Sequence, residues 1–383
     1  MQLTSLTVLL IGFVITCQSA RARTIHVSPN GNDVWTGQLE QPNGKRSDGP
    51  VATLGRARDI IREWKSIGPL AEPVRVIVAD GVYPITEPFV LTPQDSGTKS
   101  CPISYERAAG ASPVISVGKT ITGFQPAANG IWQAEIPEVA AGTWYFEQLV
   151  VDETRSVRAR TPNRFYDHMG ETVEVPIEGQ AGKFRRTTQV PATSLEPLKG
   201  LNATELHDVT LMAFHKWCIT RRFLSEVDHN ANTIITIGEQ LKSYSGWPAN
   251  TRFHLENFKA ALDTPGEWFL SRQGTLSYMP LPGQDVTKAQ VVAPVAERLV
   301  VIQGIPEQDQ FVEHVTLGGL SFQHNSYRLP AEGYAPFQAA FATEAAVMAD
   351  GARNVAIVDC EIQHTGDYAA WFRRGCHDCE IRN

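Results

Sequence analysis

Within ten residues, Asp359-Cys360-Glu361-Ile362-Gln363-His364-Thr365-Gly366-Asp367-Tyr368 gathers three carboxylates, an imidazole and a phenol, and Trp371 follows. Asp359 and Glu361 alternate with apolar Cys360 and Ile362, so a strand would turn both acids outward as a two-carboxylate candidate for proton-transfer catalysis. Asp367 with Tyr368 and Trp371 offers an acid to accept hydroxyl hydrogens and aromatic faces to stack on a ring. His364 repeats His324, and two histidines ending equivalent strands would lie side by side as a binding strip. Plainer readings stand beside these: solvated strand acids, and turn histidines satisfied by neighbouring backbone.

What would position these groups is a phrase written three times. Residues 312–324 read VEHVTLGGLSFQH, 352–364 read ARNVAIVDCEIQH, and 376–383 read CHDCEIRN. Val315, Leu317, Leu320, Phe322 and His324 align with Val355, Ile357, Cys360, Ile362 and His364, while Cys379 and Ile381 repeat Val355 and Ile357. Each phrase is a period-2 strand, a one-residue break and a second period-2 strand, so equivalent inward residues would stack in one core. The 24 residues from Val355 to Cys379 suit one coil of a parallel β-solenoid. The Pro/Gly/Ala-rich stretch Asn325 to Thr343 would interrupt the preceding coil. An ordinary β-sandwich with chance similarity between strands is the alternative.

Elsewhere the pattern changes twice. Thr53 caps an expected helix in which Leu54, Ala57, Ile60, Ile61, Trp64 and Ile67 recur at helical spacing until Gly68-Pro69, and such a helix would cover the open end of a solenoid. Between 122 and 297 come longer strands rich in Trp and Tyr. Glu267–Leu270 and Thr275–Met279 form an expected hairpin, and Asp208–Phe223 with Thr233–Ile237 another. The fold expected is therefore all-β: a right-handed parallel β-helix with an N-terminal capping helix and an inserted β-sandwich domain. Residues 23–121 would be cap and first coils, 122–297 the insertion, and 298–383 returning coils, the last cut off. One irregular β domain without a true insertion is the alternative to this division.

Leu6 to Thr16 is too short to span a bilayer and precedes Ala20-Arg21-Ala22, an A-x-A site, so residues 1–22 read as a signal peptide despite lacking a basic start. The protein is expected to be secreted or periplasmic, with no membrane-spanning segment. Net charge is −7, or −8 without Arg21, and basic runs are absent, which argues against nucleic acid and anionic membranes. Loss of Cys17 leaves Cys101, Cys218, Cys360, Cys376 and Cys379. Cys376-His377-Asp378-Cys379 has zinc-like spacing, but the repeat register puts Cys360 and Cys379 at inward positions, where a thiol serves as a small apolar residue. A disulfide is the other reading; no metal or cofactor is expected.

His26 to Asp33, then Asp48 to Leu54 and Ala57 to Arg62, resemble the opening of secreted right-handed parallel β-helix proteins. Glu267-Trp268-Phe269-Leu270 through Gly274-Thr275-Leu276 and Pro280-Leu281-Pro282-Gly283 resemble the β-sandwich insertion of glycoside hydrolase family 141. Gly319 to Phe322, Glu332-Gly333-Tyr334, Gln338-Ala339-Ala340 and Asp359 to Tyr368 are similar to its returning coils. The resemblance implies hydrolysis of plant or algal polysaccharide, fucosidase- or xylanase-like, with the catalytic carboxylates on coils beyond residue 383 and the 383-residue chain inactive by itself. Its partner would be a polysaccharide or oligosaccharide, contacted by His324, His364, Asp367, Tyr368 and Trp371. His215, Lys216 and Trp217 would overhang the groove if the insertion turns them toward it. Two further classes stay open: a polysaccharide lyase or uronate epimerase, which needs Lys, Arg or Ca²⁺ against a carboxylate, and a non-catalytic glycan-binding or adhesive β-helix. Arg373-Arg374 is the only basic spot on the readable coils.

Overall fold

The computed structural model describes residues 22–336 and 343–383. The signal-peptide reading, apart from Ala22, and Gln338-Ala339-Ala340 lie outside the described residues.

The chain is mostly β-strand with few helices. Arg23–Val27, Val74–Val78, Ile103–Arg107, Val315–Gly318, Ala356–Val358 and Glu380–Arg382 form one six-stranded sheet in which every pair is parallel. Val82–Pro84, Val114–Ser116, Ser321–Gln323 and Glu361–Gln363 form a second parallel sheet. Phe89–Leu91, Val300–Gln303, Ala345–Asp350 and Tyr368–Phe372 form a third. A parallel neighbour requires a crossover. Here the segments between paired strands of the first sheet pass through the other two sheets, except between Arg23–Val27 and Val74–Val78, which the helix Leu54–Ile67 joins.

Register stacks like on like. Ile25, Val76, Tyr105, Leu317, Ile357 and Ile381 run across the first sheet, and Tyr83, Ile115, Phe322 and Ile362 across the second. Apart from Ile381, all belong to or pack against one continuous apolar cluster. The repeat therefore builds the core column by column, at roughly 1.5–3 kcal/mol per fully buried Leu, Ile or Phe. Between strands the chain turns on single left-handed residues spaced by five: His314 (φ 54°), Gly319 (65°) and His324 (68°), then Asn354 (51°), Asp359 (50°) and His364 (54°). Asn, Asp and His enter that conformation more readily than other side chains. Asp359 is thus a corner residue and Glu361 a strand residue beyond it, so the two acids are not successive outward positions of one strand.

The helix Leu54–Ile67 closes one end of this cluster. Thr53 Oγ1 accepts the Arg56 N–H at 3.0 Å, a cap that contributes about 1 kcal/mol, and Leu54, Ala57, Ile60 and Ile61 are buried. Arg62 holds the buried Asp95 through Nε at 2.6 Å and Nη2 at 2.7 Å, tying helix to coil. Ile67 differs from the expectation: it is 88 % exposed, because the helix ends beyond the rim of the core it covers.

After Gly118–Ile121 the chain leaves the parallel sheets and returns through Val291–Pro294, and these two strands pair antiparallel as a neck. Between them lie mixed and antiparallel sheets with two buried clusters, one around Phe146 and Trp268, the other around Phe253 and Leu255. Glu267–Leu270 pairs with Thr275–Tyr278. Ile219–Asp228 pairs with Thr210–Phe214 on one side and Thr233–Glu239 on the other, so the second expected hairpin is two hairpins sharing a strand.

Among the described residues the cysteine thiols form no disulfide. Sγ of Cys360 donates to Leu317 O, that of Cys376 to Ala349 O and that of Cys379 to Ala352 O, each at 3.4 Å. All three pack against the apolar cluster, and desolvation raises their pKa values. They are protonated core side chains hydrogen-bonded to the preceding coil.

Candidate functional site: a cleft where the excursion meets the coils

The repeated histidines form a stack. Their rings lie parallel within 10°, centroids 5.1 Å apart. His324 is buried, with Nδ1 2.9 Å from Ser116 Oγ, which itself accepts the Gly118 N–H at 3.0 Å. That leaves the hydroxyl able either to donate to Nδ1 or to accept from it, so the contact is satisfied by either tautomer. Nε2 has no hydrogen-bond partner among the described residues. Desolvation, then the neighbouring His364 ring, push the His324 pKa down to about 4, against a smaller opposing pull from Glu153. His364 Nε2 lies 3.0 Å from Glu153 Oε2 on the excursion. The stack thus joins the coils to the excursion instead of forming an open strip.

Immediately after these corners the chain opens into a cleft of about 460 Å³. One wall is the excursion's hairpin, Trp217, Cys218, Ile219 and Arg221; the other is Tyr327, Tyr334, Gly366 and Asp367 with their neighbours. Three devices hold the walls together. Arg221 and Tyr334 exchange backbone hydrogen bonds at 2.8 Å. The Gln148 side chain clasps the backbone of Tyr327, donating to its carbonyl at 2.8 Å and accepting from its N–H at 3.0 Å. The Gly366 N–H donates to Asn325 O at 2.9 Å, and Asn325, itself buried, anchors to Glu297 O through Nδ2 at 2.9 Å. A Cβ at position 366 would stand 2.2 Å from Tyr327 N, so only glycine fits there.

Inside, Trp217 is 58 % exposed and presents its indole face. Desolvation pushes the Tyr327 phenol up to about 12 and raises that of Tyr334, so both stay protonated donors. Tyr334 Oη is buried without a partner among the described residues. Asp367 accepts the N–H groups of Glu344 at 3.2 Å and Tyr368 at 3.0 Å, which fixes its carboxylate. Exposed indole, phenol donors and one oriented acid suit a sugar: stacking for the ring, hydrogen bonds for its hydroxyls. Asp367 is the single acid lining the cleft among the described residues, whereas glycosidic hydrolysis uses two.

Of the other expected residues, Tyr368 and Trp371 pack edge to face with centroids 5.7 Å apart, on the strand after Asp367. Asp359 and Glu361 do not line the cleft; Glu361 Oε2 accepts from Ser321 Oγ at 3.4 Å. His215 and Lys216 line a neighbouring hollow with Tyr244 and Arg252, so of that trio Trp217 alone reaches the cleft. Sequence reasoning missed Arg221, Tyr327 and Tyr334. The two tyrosines sit in the stretch read as an interruption, where Tyr334 entered only through the family resemblance, and its aromatic content was the available signal. Arg373 and Arg374 are neutralised by Asp350 at 2.7 Å and Glu307 at 2.9 Å. A larger hollow of about 560 Å³ lies within the excursion, but its Arg272 is held by Asp208 at 2.6 Å and 2.9 Å and the coils contribute nothing to it.

Residues 129–281 match the model of the GH141 insertion domain, inside the expected 122–297. A solved structure titled glycoside hydrolase shares the fold, with TM-score 0.75 at 23 % identity over 91 % of this chain. The match covers 63 % of that chain, so this chain spans less than two thirds of its neighbour's length. XylC in complex with xylose aligns at TM-score 0.36 and 14 % identity, over 88 % of this chain and 40 % of its own, and no common architecture follows at that score. No curated protein matches the chain. Among the described residues no helix is long and apolar enough to cross a membrane.

Proposed function

We propose that the chain is a secreted glycoside hydrolase acting on plant or algal polysaccharide, with fucosidase- or xylanase-like cleavage. In this reading the three parallel sheets are the faces of a right-handed β-helix, with residues 23–121 as its cap and first coils, 298–383 as its returning coils, and 122–297 as its inserted domain. The observation that carries the reading is the cleft. The segment that matches the GH141 insertion domain sets Trp217 and Arg221 opposite Tyr327, Tyr334 and Asp367 of the coils, a combination built to hold a sugar ring. The glycoside hydrolase fold of the structural neighbour agrees with it.

The test is an assay of the whole protein on neutral and uronate-containing polysaccharides. New reducing ends without ultraviolet absorbance are expected. Absorbing, unsaturated ends would replace hydrolysis with β-elimination, and binding without turnover would leave a glycan-binding module.

A further inference from the structure

We infer that the cleft takes an anionic sugar, its carboxylate or sulfate held between Arg155 and Arg221; the inference rests on the glycan reading of this cleft and narrows its ligand. The acids around the cleft have hydrogen-bonded or ion-paired partners other than Arg155 and Arg221. Glu147 lies 3.7 Å from Arg158 and accepts the Leu329 N–H at 3.3 Å. Glu153 holds His364 at 3.0 Å, Glu256 holds His254 at 2.8 Å, and Asp367 takes two backbone N–H groups. Arg155 and Arg221 have no acidic partner within 4.0 Å among the described residues.

Their placement is shared. Arg155 reaches across from the excursion and donates through Nη2 to Thr365 O, the residue before Gly366 in the cleft wall. Arg221 lines the opposite wall with its guanidinium over the Tyr327 ring, 5.3 Å from the centroid. Burial, and then the charge of Arg221, lower the Arg155 pKa. Arg221 in the cleft wall, Arg155 at its edge beside Thr365 and the unpartnered Tyr334 hydroxyl together offer N–H and O–H donors to an oxyanion. Glu256 acts on Arg221 only at longer range, and a neutral sugar would leave both guanidinium groups without a direct anionic partner.

The experiment is calorimetric titration of the full chain with three probes of equal length: an oligogalacturonide, a sulfated galactan oligomer and a xylo-oligosaccharide. At least one charged probe is expected to bind about tenfold or more tightly than the neutral one, weakening as salt rises. Tightest binding of the oligogalacturonide names carboxylate as the anion; tightest binding of the sulfated oligomer names sulfate. Arg155→Gln should remove most of that preference while leaving the xylo-oligosaccharide unchanged, Arg221→Gln should weaken the charged probe far more than the neutral one, and Arg221→Lys should retain part of the preference. Equal binding of all three, or a preference untouched by both Gln variants, overturns the inference and leaves the glycan cleft standing. If no probe binds, the glycan reading falls with it.

Discussion

The imidazole of His324 lies face to face with that of His364, buried one coil below it, and only the upper ring reaches an acid, Glu153. The lower ring is held neutral by burial, with its pKa lowered to about 4. An unfolded histidine titrates near 6.5, so between about pH 6.5 and 4 the unfolded chain binds a proton that the folded chain refuses. The stabilisation is complete above that window and is lost as pH falls through it, up to about 3 kcal/mol at the lower end. Denaturant midpoints should therefore drop between neutral pH and pH 4, and His324→Gln should flatten that slope. An unchanged slope in the variant would remove His324 as the cause.

Trp217 is exposed at the tip of its hairpin, and a surface substitution there costs little stability. Trp217→Ala should leave the melting temperature within a degree or two while lowering oligosaccharide affinity by roughly 0.5–1.5 kcal/mol, the range of an aromatic ring contact. Paired calorimetric and thermal measurements separate the two effects.

Gly366 behaves in the opposite way. A methyl group there meets the backbone of Tyr327, which Gln148 holds from the other side, so neither neighbour can move cheaply. Gly366→Ala should destabilise the protein by about 1–3 kcal/mol and weaken oligosaccharide binding together, read as coupled losses in melting temperature and affinity.

Phe322 sits between Ile115 and Ile362 in its column, with no exposed surface. Phe322→Ala should cost about 3–5 kcal/mol in urea unfolding, against less than about 0.5 kcal/mol for alanine at the exposed Val34.

The coils were legible because a parallel sheet repeats its demands. Leu317, Ile357 and Ile381 recur in sequence because they occupy one column in space, and His324 and His364 recur because each closes a strand at the same left-handed corner. Asp359 was harder, since a corner residue and an outward strand residue look alike until the backbone is seen. The cleft was legible on one side only. Asp367 lies three residues past the end of a repeat, but Trp217, Arg155 and Arg221 come from an antiparallel excursion with no internal repeat to fix its orientation. Their meeting with Tyr327 and Tyr334 depends on contacts across more than a hundred residues, such as Gln148 with Tyr327, which periodicity does not encode.

The central claim is that a sugar binds where the excursion meets the coils. A crystal structure of the chain soaked with its tightest-binding oligosaccharide tests it most directly. The account predicts a sugar ring against Trp217 with hydroxyls on Asp367 and Tyr334; a ligand lodged elsewhere, with that cleft unoccupied, would contradict it.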